Sequence, residues 1–153
     1  MQPSYGPAQE RLAAFLGEWR GDGTVFANPW GPAGNSKGHW SFRFDPLRLN
    51  LIHDFHEQRE GGFAFDGHGV LTVDPDAGDY LWFWFDTHGY PPLQPARGGW
   101  TGSVLGLEKH TPRGVGRTTF SIDGESLTYR VATRLTGAAD FAPIVEGVYL
   151  RQR

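Results

Sequence analysis

The stretch HDFHE, residues 53–57, sets two imidazoles and two carboxylates into five positions. Such groups ligate metal ions, or move protons when a carboxylate orients an imidazole. Which of these is open to them depends on the element that carries them. On a strand, successive side chains point to opposite faces. His53, Phe55 and Glu57 then share one face and Asp54 and His56 the other, so His53 and His56 do not meet on one ion. Their spacing is also not the i, i+4 pair of a helical zinc site, and no metal site is expected. The 153 residues include no cysteine, which removes thiolate catalysis and Cys-ligated zinc or iron–sulfur centres. The TGS and GES triplets at 101–103 and 124–126 sit in turns, without the strand–elbow–helix setting of a serine hydrolase.

A second stretch, GDYLWFWFDTHGYPP at 78–92, runs five large apolar residues, Leu81 to Phe85, into Asp86. As a strand it presents Trp82, Trp84 and Asp86 on one face and Leu81, Phe83 and Phe85 on the other. Its neighbours decide which face is inside. A three-residue EGG turn joining strands 49–59 and 63–73 groups Leu51, His53, Phe55 and Glu57 with Phe63, Phe65, Gly67, Gly69, Leu71 and Val73. A two-residue turn through Gly61 and Gly62 reverses the sidedness, but the three-residue turn sorts apolar from polar more cleanly. A four-residue PDAG loop then sets Gly69 opposite Trp84 and Gly67 opposite Asp86, small against large. The two tryptophans and Asp86 are expected inside. His53, Glu57 and Asp86 become polar outliers in an apolar interior, and each needs a partner, whether Arg43, Arg97, Arg130, a water or a ligand. His56–Asp66 and Asp54–His68 are cross-strand pairs on the polar face. His68, flanked by glycines, is the member kept as a candidate.

These residues need elements to hold them, and the composition says which. Glycine numbers 22 and aromatics are 14% of the chain. Breakers recur at short intervals, the pattern of many short strands joined by turns. The spacing predicts ten strands, at 18–27, 38–45, 49–59, 63–73, 79–87, 97–102, 103–109, 115–122, 126–134 and 143–152, after one short helix over 8–16 that Gly17 ends. A meander this long closes to remove its edges. The expected fold is all-β, an antiparallel up-and-down barrel of about ten strands forming a single domain over 1–153, with a two-sheet sandwich as the alternative. The long loops, 28–37 and 87–97, are the expected mouth. The outward face of Leu81, Phe83 and Phe85 needs a cover, either the helix or a second subunit in a homodimer. The net charge of −3 with only 14 Lys and Arg argues against nucleic acid. No apolar run reaches a membrane span and the N-terminus has no leader pattern, so a cytoplasmic location is expected.

The short helix followed by LGEWRGDGTVF, GHGVLTVDPDAGDYLWFWFD, RGGWTGSVLGLE and VEGVYLRQR resembles a family of small bacterial calycin-like (lipocalin-like) barrels with no established activity. The resemblance runs from about residue 8 onward and implies an antiparallel barrel with an internal cavity. Gly17, Trp19, Gly21 and Gly23, a G-x-W-x-G-x-G spacing, are also similar to the nitrobindins. That resemblance implies haem in a ten-stranded barrel, held by a histidine near the last strand. This sequence has no histidine after His110, and no cofactor is specified.

The function expected is binding of a small, mostly apolar molecule in the barrel, with Trp82 and Trp84 as the lining and His53, Glu57, Asp86 and His68 as polar contacts. The alternatives are acid–base catalysis on a small hydrophobic substrate, through His68 or His53 with a carboxylate, and a structural module that dimerises through Leu81, Phe83 and Phe85.

Overall fold

The computed structural model describes residues 4–153; Met1 to Pro3, part of the stretch read above as lacking a leader, lie outside the described residues. Ten antiparallel strands close into a barrel in which each strand pairs with its sequence neighbours and β1 meets β10. The strands are β1 Gly17–Val25, β2 Gly34–Phe44, β3 Asn50–Arg59, β4 Ala64–Val73, β5 Tyr80–Asp86, β6 Ala96–Thr101, β7 Val104–Thr111, β8 Gly114–Asp123, β9 Ser126–Leu135 and β10 Ala142–Arg151. The helix α1, Pro7–Leu12, continues as a 3-10 turn over Ala13–Phe15. No helix among the described residues is long and apolar enough to cross a membrane.

The register follows the alternation read from the sequence. Leu51, His53, Phe55 and Glu57 face Leu71, Gly69, Gly67 and Phe65 across β3 and β4. On β5, Trp84 lies opposite Gly69 and Asp86 opposite Gly67. The EGG segment is a tight three-residue turn, kinked at Gly61, in which Gly61 and Gly62 both hold a positive φ of 86°, a conformation glycine adopts without steric cost. β2 begins at Gly34, earlier than expected, because the polar run GNSK still alternates. Asn35 and Lys37 point outward while Ser36 turns into the wall and bonds Glu57.

The helix does not cover the outward face of β5. It closes one end of the barrel, and Phe85 remains 51% exposed. Leu12 and Phe15 are fully buried there, with the Phe15 ring 5.1 Å from Phe42 and 5.7 Å from Phe120. The Trp19 indole donates to the Phe15 carbonyl at 2.8 Å. The Arg151 guanidinium stacks 4.1 Å over Trp19 and donates to the carbonyls of Ala14 and Leu16. A helix of this length is marginal alone, and these tethers hold it.

Above the plug the interior is solid aromatic. Trp40 stacks on Phe55 at 4.2 Å and meets Tyr129 at 4.9 Å. The space beside Gly23, Gly38 and Gly147 is taken by Tyr149, whose ring or hydroxyl stands within 3.5 Å of where their Cβ atoms would be. On β1, Gly23 thus makes room for packing, as does Gly21, where a Cβ would sit 1.9 Å from the Val148 carbonyl oxygen. Gly69 is equally constrained, since a Cβ there would sit 2.2 Å from His53 Nε2 and 2.9 Å from Trp82 Nε1. Gly69→Ala is expected to lower stability by roughly 1–3 kcal/mol, the usual cost of overpacking a tight core, read as a shifted urea midpoint at unchanged slope.

Candidate functional site

The hollow lies at the end away from the helix. Strand ends Arg59, Asp86, Thr111 and Gly114 surround it, and the loops after β1 and β5 supply Trp30, His88 and Tyr90. Its volume is about 240 Å³. Trp82, Trp84, Phe55, Phe65, Leu107, Tyr129 and Val131 form the apolar wall; Asp86, Lys109, Arg59, Arg113 and Thr118 are among its polar groups. The wall is thinnest beside β5, which pairs with β6 only from Tyr80 to Trp82. From Phe83 to Asp86 the strand has no β6 partner, so Trp84 and Asp86 stand at a seam.

Trp82 is 6% exposed and its indole is centred 4.9 Å from that of Trp84. The Trp84 N–H donates to Asp86 Oδ2 at 2.9 Å, and the backbone N–H of His88 donates to Asp86 Oδ1 at 2.9 Å. Asp86 thereby orients one tryptophan and begins the mouth loop.

His53 and Glu57 lie one layer behind this lining. His53 is fully buried, and its Nε2 accepts the Trp82 indole N–H at 2.9 Å. An indole nitrogen only donates, so the proton of the imidazole sits on Nδ1, which donates to the Leu51 carbonyl at 3.3 Å. Burial pushes its pKa down to about 3, against the opposing pull of the Leu51 bond. Glu57, also fully buried, accepts from Ser36 Oγ at 2.9 Å and Arg59 Nε at 2.7 Å. Its partner is the strand neighbour two residues on, not Arg43, Arg97 or Arg130. Those three pair with Asp54, with Asp74 and Asp79, and with Glu146.

His68 lies on the outer wall, with its Nδ1 2.6 Å from Asp54 Oδ1 and half of the side chain exposed. His56 pairs with Asp66 at 2.6 Å on the same outer face. The structure thus brings Trp82, Trp84 and Asp86 together on the cavity and places His53 and Glu57 behind it and His68 outside. Lys109, His88 and Tyr90 also line it and were not singled out from the sequence, and Arg113, which the sequence reads as part of a solvated basic turn, stands at its rim. For Lys109 a signal existed: Leu105, Leu107 and Lys109 alternate on one face of β7.

No three His, Asp or Glu side chains gather as a metal-binding set among the described residues. β10 reads APIVEGVYLR and carries no imidazole where the nitrobindin resemblance implies the haem ligand.

No protein-family profile and no curated sequence matches the chain. Solved structures do. The protein Rv2717c from M. tuberculosis aligns at TM-score 0.74 with 21% identity, over 98% of this chain and 100% of that one. The S-type phycobiliprotein lyase CPES from Guillardia theta aligns at 0.69 with 8% identity, over 95% and 92%. The structure of EF1p2_mFAP2b bound to DFHBI aligns at 0.50 with 12% identity, over 95% and 99%. At these identities the shared property is the fold.

The neutral His53 makes stability pH-dependent. Its ordinary pKa is 6.5 and the folded value about 3, so above pH 6.5 neither state is protonated and no stability is lost. Between 6.5 and about 3 the unfolded chain takes up a proton that the native state refuses, and stability falls by ~1.4 kcal/mol per pH unit. Urea titrations from pH 7 to 4 are expected to show this slope. His53→Gln is expected to flatten it relative to the wild type, whatever it does to stability at pH 7.

Proposed function

We propose that the protein binds a small, mostly apolar molecule in the mouth-end cavity, with its flat faces against Trp82, Trp84 and Phe65. The observation that carries this reading is the division of the barrel interior. One half is filled by Trp40 and its neighbours, while the other keeps a hollow walled by aromatic rings with a few polar groups. That is the general make-up of small-ligand sites. A barrel of this fold that holds DFHBI and the fold shared with a phycobiliprotein lyase agree with it.

In this reading Trp82, Trp84 and Asp86 touch the ligand. His53 acts by fixing the Trp82 indole and Glu57 by fixing Arg59. Acid–base catalysis draws less support. His53 has both ring nitrogens engaged, and the His68–Asp54 pair lies on the open outer wall.

Native mass spectrometry of the gently purified protein is expected to reveal a retained small molecule. Titration with flavonoids and fatty acids is expected to quench tryptophan fluorescence and raise Tm. Trp84→Leu should weaken any such binding about tenfold or more, as loss of an aromatic anchor does, with the fold intact by circular dichroism. A broad library that neither quenches nor shifts Tm would overturn the reading.

A further inference from the structure

Lys109, a cation of the cavity lining, has no ion-pair partner among the described residues. Lys109 extends from β7 into the hollow, on the face it shares with Leu105 and Leu107. It enters no ion pair and no side-chain hydrogen bond among the described residues. Burial lowers its pKa below the ordinary lysine value, the Asp86 charge opposes the lowering and Arg113 adds to it. Asp86 accepts from the Trp84 indole and the His88 backbone N–H and forms no ion pair with Lys109 among the described residues.

The other cations sort clearly. Arg59 is neutralised by Glu57 at 2.7 Å. Arg113, at the rim, lies 4.0 Å over the Tyr90 ring and has no carboxylate partner among the described residues. With Arg59 matched, the lining leaves Lys109 and Arg113 against Asp86 alone. An ammonium drawn partly out of water without an acceptor costs free energy that a bound acceptor would recover.

We propose that the ligand carries one anionic group, a carboxylate or a comparable oxyanion, on its apolar body, and that this group seats between Lys109 and Arg113. The inference rests on the ligand-binding reading above and narrows it to organic acids. Charge-assisted bonds to Lys109 fix the acid end while the aromatic wall takes the body. Asp86 disfavours a second anionic group.

The test is a pair of near-isosteric probes, 2-naphthoate and 2-naphthamide, titrated calorimetrically at pH 7 and low salt. The acid is expected to bind about tenfold tighter than the amide, a difference of ~1.4 kcal/mol. The ratio should collapse toward one in Lys109→Met and persist in Lys109→Arg. Equal binding of both probes to the wild type, or a ratio unchanged in Lys109→Met, would overturn the anion inference and leave the cavity reading standing. Binding of neither probe would overturn both. Lys109→Met should melt at or above the wild-type temperature, because it removes an unpaired charge. A marked loss of stability would mean that the protein itself engages Lys109, and would also sink the proposal.

Discussion

A single buried hydrogen bond, 2.9 Å from the Trp82 indole to His53 Nε2, sets the geometry on which the cavity rests. A buried indole N–H needs an acceptor, and an imidazole accepts only while one ring nitrogen is unprotonated. The site therefore requires His53 to stay neutral, and burial enforces that. It also requires Gly69 to lack a side chain, because the bond passes through the space a Cβ would fill. With Trp82 fixed, Trp84 packs on it at 4.9 Å over the equally bare Gly67. The cavity wall is thus a consequence of two large side chains leaning over two glycines that leave them room.

The two ends of the barrel solve different problems. At the helix end, closure comes from Phe15 and Leu12 inserted among Phe42, Phe120 and Trp19, with Arg151 clamping the last carbonyls of the turn. At the other end the strands carry Thr, Gly and charged residues inward, and the loops bearing Trp30, His88 and Tyr90 frame the mouth. The short β5–β6 pairing belongs to the same end. Backbone left unpaired beyond Trp82 on that side gives the wall a local seam, and the two cavity residues nearest it, Trp84 and Asp86, are held by their mutual hydrogen bond.

Much of this was legible in the sequence because strands have a period of two. The EGG and PDAG turns set the register of β3, β4 and β5, and with it the inward aim of Trp82, Trp84 and Asp86. The helix position was not legible. An amphipathic turn of chain covers an open end or a sheet face equally well, and only the joint demands of Trp19, Arg151 and Trp100 put it at the end. The partner of Glu57 is its own strand neighbour Arg59, to which same-face spacing points, and not Arg43, Arg97 or Arg130 on other strands. The alternation that places Leu105 and Leu107 inside β7 also carries Lys109 inside.

Buried polarity and free polarity are different signals. His53 and Glu57 are the most deeply enclosed polar side chains facing the interior, yet each is satisfied within the protein, the first by Trp82 and Leu51, the second by Ser36 and Arg59. Satisfied groups stiffen a wall and have less left to offer a ligand. Lys109 is less buried and has no ion-pair partner among the described residues, and Asp86 positions Trp84 and the His88 loop. A bound molecule interacts most strongly with groups whose hydrogen-bonding capacity the fold leaves open, so the proposed ligand would have its polar group recognised on the side of the cavity formed by β7 and the β7–β8 turn, not on the side backed by β3.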